Sequence, residues 1–476
     1  MAEMQLEKLA TELALVAELG PIETRFAAKQ SHSAELHDVV QDSRTAASGS
    51  LFCAVPGLTV DGHDYVAAAV SRGAEAAMVE RFVDTPCAQI KVGSVRRSMA
   101  YASALVHHNP SRELAVVGVT GTNGKTTTTQ LLSSIVTSAG RSCRVIGTLD
   151  GAHTTPESPE LQRQLRAAAD DGIDVVAIEV SSHALDQHRA DATEFAVALF
   201  SNLTPDHLDY HVDMEHYFEA KARLFDGRAK VELINIDDPW GQRLAAERTN
   251  ATKVSLADVR VDTETITGTE FEWRGHHVWV PLPGRMNVAN ALMAAESALL
   301  LGLNESEIAS GLATATRVPG RMQLVLEVAD DQPTVVVDYS HTPDSIERAL
   351  QTLLAVTQGS VSIVFGCGGD RDRSKRPLMA SAAETWSSAV YLTNDNPRSE
   401  DPLEIVADVL RGFDRPDLVR IETDRRLAIE RAIIDADPGD VVLIAGKGHE
   451  MTQTIGSTVL PFNDVQVARS ILEANR

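Results

Sequence analysis

The stretch GVTGTNGKTTTT, residues 118–129, carries a β-branched apolar segment into a turn built on Gly121 and Gly124, and then into helical text opening at Lys125. Backbone N–H groups of such a turn, with the helix N-terminus behind them, form a cradle for anions. Lys125 adds a point charge suited to the β- and γ-phosphates of a nucleotide, and the Thr126 hydroxyl can ligate Mg²⁺. The pattern departs from G-x-x-x-x-G-K-[ST] at one place, because Val119 stands where the first glycine would. Strand, glycines, lysine, hydroxyl and helix still fall in order. Gly121, Thr122, Asn123, Gly124, Lys125, Thr126 and Thr127 therefore read as a nucleoside triphosphate loop. By itself the loop does not say whether hydrolysis drives motion, signalling or synthesis.

Outward from the loop, apolar strand text recurs at DVVAIEV (174–180), FAVALF (195–200) and VELINID (231–237), alternating with helical text such as MEHYFEAKARLF. That alternation predicts a mostly parallel sheet flanked by helices. An amphipathic pair, NVANALMAAESALLLGL and SEIASGLATA, closes the region before Val318-Pro319-Gly320. A further α/β series follows, with TVVVDYS, SVSIVFG, SAVYLT and DVVLIAG as strands, which places a boundary near 320. Upstream, LFCAVPG and AAMVE read as strands and HDYVAAAVSRG as a helix ending at Gly73, a smaller α/β region that His108-Asn109-Pro110-Ser111 terminates. Three domains, 1–110, 111–320 and 321–476, agree with 476 residues at about 150 per domain.

The 67 acidic against 43 basic residues give a formal charge of −24, the wrong sign for coating nucleic acid or anionic lipid. An anionic ligand must then meet a local cluster of positive groups. Cys53, Cys87, Cys143 and Cys367 lie far apart without a C-x-x-C pair, so free thiols in a reducing cytoplasm are expected. The N-terminal stretch has no basic leader or cleavage site, and no apolar run approaches the roughly 20 residues that span a bilayer. These features predict a soluble, cytoplasmic chain without nucleic-acid or membrane partners.

A second cluster sits at the expected strand ends. DVVAIEV carries Glu179 to its C-terminal end, and FAVALF leads into SNLTPDHLDYH, which puts Asn202, His207 and Asp209 at the same edge as the loop. Hard oxygens there suit Mg²⁺, and His207 can join them. GVTGTNGKTTT, EVSSHALDQHR, NLTPDHLDYH, YFEAKARLF, LPGRMNVANAL, VPGRM, DYSHTPDS, FGCGGDRDRSKRP, DNPR and AGKGHE, in this order, resemble the motifs of the Mur ligases, the ATP-dependent amide-forming enzymes of peptidoglycan precursor synthesis.

The resemblance spans residues 42–450 and implies an α/β fold of three domains: a small UDP-binding domain, a central P-loop ATPase domain and a C-terminal Rossmann-like domain. It implies a monomeric ligase that joins meso-diaminopimelate to the D-glutamate of UDP-N-acetylmuramoyl-L-alanyl-D-glutamate through an acyl-phosphate, with ATP and Mg²⁺. Lys125, Glu179, His207 and Lys221 would be catalytic. Thr126, Glu179, His207 and Lys221, the last as a carbamate, would serve the metal. Asn287 and Asn290 would contact the adenosine, with Arg321, Asp338 and His341 reaching toward the nucleotide. Ser43, in Asp42-Ser43-Arg44, and His63 would hold the uridine diphosphate. Thr154, Thr155, Ser181, Gln187 and Arg189 would hold the muramoyl peptide. For the amino acid the matching positions are Arg371, Asp395, Asn396, Pro397, Arg398, Gly446 and Glu450. Arg398 is suited to the distal carboxylate that diaminopimelate has and lysine lacks, and Glu450 to the distal ammonium.

Read from the residues alone, Lys221 is a solvated helix lysine and DNPR a surface turn. The chain has Ser340 where the family pattern DYAHTP has alanine, Gln323 where an acidic residue is usual, and DRDRSKR for DRDKGKR. A lysine-adding ligase, or an ATP-binding regulatory module that ligates nothing, is the alternative.

Overall fold

The computed structural model describes residues 4–26, 34–57, 59–149, 151 and 153–474. They divide into two compact units. The first comprises Met1–Thr120, Arg141–Leu199 and Glu219–Glu232. It contains a five-stranded sheet ordered Glu23–Arg25, Ala88–Lys91, Ala76–Val79, Ser50–Cys53, Asp38–Val40, parallel except for its first strand. Alternate residues of a strand face opposite sides of a sheet. Leu51 and Cys53 accordingly pack with Leu6, Leu9 and Met99, whereas Phe52 packs with Val66 and Ala69 on the other face. With both faces covered, these strands read as near-continuous apolar runs. The strand expected at 51–57 ends at Cys53, because Pro56 and the Asp61-capped turn at Gly62–Tyr65 bend the chain away.

The same unit carries Val175–Glu179 paired in parallel with Ala115–Thr120 on one side and Cys143–Ile146 on the other. Register matters here: Glu179 lies opposite Val119, two residues before the phosphate loop leaves its strand. Phe195–Phe200 follows Ala115–Thr120 in the sheet order.

The second unit comprises Gly121–Gly140, Phe200–Phe218 and Leu233–Arg476. The phosphate-loop helix, Lys125–Ser138, packs against helices Arg285–Leu300 and Glu305–Ala313. A three-stranded antiparallel sheet, Arg260–Thr265, Gly268–Trp273 and His276–Val280, was not expected from the sequence. A six-stranded sheet is ordered Gln323–Leu324, Thr334–Asp338, Val441–Ala445, Val361–Phe365, Ala389–Leu392, Arg420–Ile421, and only its first strand is antiparallel. Two apolar cores cover its faces. The parallel strands all end at one edge, and the segments that leave it are Tyr339-Ser340-His341, Gly366-Cys367-Gly368, Asn394 to Arg398 and Gly446 to Glu450. That edge, at the switch in strand order, is where open α/β sheets bind ligands. No helix among the described residues is long and apolar enough to cross a membrane.

Candidate active site

The phosphate loop in the second unit is held from outside by Asn202, which accepts from Asn123 N at 3.0 Å through Oδ1 and donates to Asn123 O at 3.1 Å. Ser201 Oγ adds a bond to Asn123 O at 2.7 Å. Thr122 Oγ1 lies 3.1 Å from the Tyr217 hydroxyl. Lys125 Nζ donates to the Gly121 and Thr122 carbonyls at 2.9 Å each, across the mouth of its own turn. Thr126 and Thr127 are buried at the start of the helix. Arg321 donates through Nη2 to Thr126 Oγ1 at 3.1 Å while its guanidinium lies 4.5 Å from the centre of the Tyr339 ring.

Asp338 accepts from Met322 N at 2.6 Å and from Ser340 N at 2.9 Å, so it fastens the segment bearing Arg321. Ser340 Oγ gives Asp338 a further hydrogen bond that alanine could not, and Gln323 Oε1 accepts from Gly320 N at 2.8 Å. Two of the three departures from the family pattern, Ser340 and Gln323, therefore brace this turn. Asn287 and Asn290 are buried on one helix and joined to each other at 3.2 Å.

His207 adopts φ +56° at the head of a short helix, Leu208–His211. Its neighbour Asp206 is buried between His207 Nε2 at 3.4 Å, Lys375 Nζ at 3.8 Å and His341 Nε2 at 4.0 Å. Burial works against the Asp206 charge, and these three groups together hold its carboxyl below the ordinary range. Asp206 and Lys375 were missed in the sequence, whereas Asp209, placed at the edge, is exposed.

In the first unit Glu179 is buried, and its two oxygens accept from Thr148 N and Thr148 Oγ1 at 3.0 Å each. Thr148 Oγ1 lies 3.1 Å from Thr154 Oγ1, and Thr155 Oγ1 donates to the Glu179 carbonyl at 2.8 Å. Ser181 N donates to Thr155 Oγ1 at 3.0 Å while Ser181 Oγ caps the helix Ser182–Asp186. Arg189 reaches the Thr155 carbonyl at 3.0 Å, Gln187 Oε1 at 2.8 Å and Glu157 Oε1 at 2.8 Å. The five residues expected at the muramoyl peptide are thus gathered in one network.

Lys221 is only 1% exposed and shares the buried face of its helix and the turn that follows with Tyr217, Phe218, Leu224 and Phe225. The residue-only reading of a solvated lysine is overturned.

A cavity of about 450 Å³ opens in the same unit among Gln41, Asp42, Thr45, His153, Glu157 and Arg163. Ser43 is buried beside it in sequence. Arg44 forks onto Asp42 and holds that carboxyl down at about 2. His63 does not line the cavity. Its Nδ1 is 2.7 Å from Asp61 and its Nε2 accepts from Glu80 N at 2.9 Å, so the ring braces a turn.

The residues expected at the amino acid lie at the sheet edge of the second unit. Asn396 donates to Glu450 Oε2 at 2.9 Å. Arg398, at φ +50°, is half-buried and donates to the Gly369 carbonyl at 2.6 Å, so DNPR is not a solvated turn. A Cβ on Gly368 would stand 3.0 Å from Arg398 Nη1 and 3.7 Å from Arg371 Cγ, which puts both arginines beside one glycine. A Cβ on Gly446, at φ +112°, would stand 2.6 Å from Asp395 Oδ2. Burial pushes the Asp395 carboxyl up, against the pull of Arg425 and Lys447. Pro397 is buried next to Asn396.

Among the described residues no group of three or more His, Cys, Asp or Glu side chains is gathered as a metal site.

Residues 35–117 match a family model described as Mur ligase family, catalytic domain, residues 119–298 the Mur ligase middle domain, and residues 320–448 the Mur ligase, glutamate ligase domain. The UDP-N-acetylmuramoyl-L-alanyl-D-glutamate–2,6-diaminopimelate ligase of Geobacillus thermodenitrificans is 42% identical over 463 residues, covering 91% of this chain and 94% of the relative. The ligase of the same name from Coxiella burnetii is 40% identical, with 90% and 94% covered. A solved structure of a ligase of that name superposes with a TM-score of 0.67 at 31% identity, covering 100% of this chain and 99% of the other.

Proposed function

The chain belongs to the Mur ligase family, and from that premise we propose that it uses ATP to join meso-diaminopimelate to the D-glutamate of UDP-N-acetylmuramoyl-L-alanyl-D-glutamate, in peptidoglycan precursor synthesis. The observation that carries the choice of amino acid is the edge pocket built from Asn396, Arg398 and Glu450, together with relatives of that name across nine-tenths of the chain. Domain boundaries near 110 and 320 go with this reading, since the family-model matches break at 117–119 and 298–320. A monomer working in the cytoplasm, apart from nucleic acid and membrane, goes with it too.

In the reaction a glutamate carboxylate oxygen bonds to the γ-phosphorus of ATP and ADP leaves. The diaminopimelate amine then attacks the acyl carbon, loses its proton, and the tetrahedral adduct expels inorganic phosphate. ATP and the nucleotide-sugar dipeptide are both anionic, so the residues must neutralise charge and fix approach. Lys125 and the backbone amides of residues 121–126 take the phosphates. Arg321, bonded to Thr126 and stacked on Tyr339, adds a second cation, with Asp338 fastening its segment. Asn287 and Asn290 contact the adenosine. His341 faces Asp206 on the nucleotide side. Thr154, Thr155, Ser181, Gln187 and Arg189 orient the muramoyl peptide, while Ser43 and the turn braced by His63 carry the uridine diphosphate.

The donor chemistry in each unit suits Mg²⁺: a buried hydroxyl at Thr126 and the imidazole of His207 in the second, and a buried carboxylate at Glu179 in the first. Lys221, as the carbamate that the family resemblance implies, would add an oxygen donor, because a bare ammonium would be repelled. When bound, Mg²⁺ would supply positive charge to the phosphate oxygens. At the amino-acid pocket, Arg398 and Arg371 meet carboxylates and Glu450 the distal ammonium, with Asp395, Pro397 and Gly446 shaping the wall.

The test is ADP release with each substrate omitted in turn. It should require both the nucleotide-sugar dipeptide and diaminopimelate, with lysine a poor replacement and Arg398→Ala losing the discrimination. ADP release that ignores the amine would instead mark a regulatory ATP-binding protein, and equal use of lysine a lysine-adding ligase.

A further inference from the structure

Behind the DNPR segment lies a lysine with no exposed surface, Lys447 of AGKGHE. Its Nζ donates to Asn396 Oδ1 at 3.1 Å and to Glu450 Oε2 at 2.8 Å. Asn396 Nδ2 donates to that same Oε2 at 2.9 Å, and Thr454 N donates to Asn396 Oδ1 at 2.9 Å. Lysine, amide and carboxylate therefore close a ring. Both bonds to Glu450 use Oε2 and neither uses Oε1. An ammonium has three donors and no acceptor, and it stays buried only where a counter-charge and acceptors surround it. The ring provides both.

We propose that Lys447 is a specificity-determining positioning residue of the amino-acid pocket. It cancels the charge of Glu450 and fixes the Asn396 amide, so that the pocket accepts a far end bearing both ammonium and carboxylate and rejects one bearing an ammonium alone. The charge count gives the reason. Glu450 paired with Lys447 is neutral, and Arg398 adds a cation. A zwitterionic far end offers that cation a carboxylate, with its ammonium directed to Glu450 Oε1. The far end of lysine brings only a second positive charge, and the arginine is left unpaired. Without Lys447 the Glu450 carboxylate would be a full counter-charge for a lone ammonium, and lysine would be favoured.

The inference rests on the reading of this pocket as the diaminopimelate site. Its test uses the full chain with saturating ATP and nucleotide-sugar dipeptide. Lys447→Met should lower the ratio of kcat/KM for diaminopimelate over lysine by about tenfold or more, while KM for ATP moves by less than about twofold. A lysine that merely supports the fold would reduce use of both amines in proportion. An unchanged ratio, or lysine turnover that stays undetectable in the variant, overturns the proposal.

Thermal unfolding gives an independent readout. Lys447→Met combined with Glu450→Gln should melt above Lys447→Met alone, because the second change removes the carboxylate that lost its counter-ion. Should the single variant not fold, recovery of folded protein in the double gives the same answer. A double variant no more stable than the single overturns the pairing. Failure of the unaltered chain to use diaminopimelate would count against the proposed function instead, and the melting comparison would still report on the ring.

Discussion

Gly124 holds φ at +87°, and a Cβ there would stand 2.3 Å from Asn290 Oδ1. Gly124→Ala should therefore carry about 1–2 kcal/mol of backbone strain and displace Asn290 besides. Calorimetry should show ATP binding weakened by about tenfold or more. Gly140→Ala is the control: φ is +77° with nothing within 4 Å of the added methyl, so it shares the strain but should leave ATP affinity alone. Asp191 makes a different kind of test. It is buried against His188 at 2.7 Å, Arg228 at 3.4 Å and Arg97 at 3.5 Å. Burial works to raise its pKa, and His188 with the two arginines more than reverses that, leaving it below 3.8. A depressed carboxylate stabilises the fold above its unfolded pKa and ceases to as pH falls through its folded value. Asp191→Asn should cost about 3 kcal/mol at neutral pH in urea unfolding, and the gap to the unaltered chain should close in acid as pH falls through the depressed folded value. Single residues were unevenly legible. The glycines and lysine of the phosphate loop announce themselves by order. Lys221 does not, because its burial depends on Tyr217, Phe218, Leu224 and Phe225 forming one face, and a lysine on an apolar stripe reads as a polar interruption. Asp206 was passed over for Asp209 because a three-residue shift at a helix start exchanges a buried position for an exposed one.

Elements were read best where apolar runs are continuous. The strands Phe195–Phe200, Val361–Phe365 and Val441–Ala445 are buried along nearly all their length, and their text is almost uninterrupted. The antiparallel sheet at 260–280 escaped notice although Phe271, Trp273, Val278 and Val280 alternate as half-buried strands do. Its two tight turns are Ile266-Thr267 and Arg274-Gly275, the latter with φ +48° and +80°, and neither has the Asn-Gly or Asp-Gly that usually signals such a hairpin. What fastens the elements at the ligand edge is also silent in sequence. Arg425, wholly buried, pairs with Asp464 at 2.8 Å and donates to the carbonyls of Asn394, in one loop at the edge, and of Ala445, the last residue of a strand that ends there. Arg376, also buried, donates to the Gly368 carbonyl and to the Glu400 carboxylate. Arg425→Met should cost about 3–5 kcal/mol in denaturant unfolding, since Asp464 is left charged and buried. Arg425→Met with Asp464→Leu should recover part of the loss, while diaminopimelate KM stays raised because the two carbonyls remain unfastened.

For the molecule as a whole, a formal charge of −24 means that its anionic substrates are gathered by local cations alone. ATP with Mg²⁺ at a hundred times its Kd should stabilise the chain by about 2.7 kcal/mol, seen as a rise in Tm, and a chelator should remove most of that gain. The order Thr334–Asp338, Val441–Ala445, Val361–Phe365 of the larger C-terminal sheet has a consequence for biosynthesis. Its central strand is the last of the set to leave the ribosome, so Thr334–Asp338 and Val361–Phe365 wait with facing edges unpaired until Val441–Ala445 emerges. Open edges of that kind invite pairing between chains. A premature stop between Phe365 and Val441 should yield protein that sediments with the insoluble fraction, whereas the unaltered chain should not.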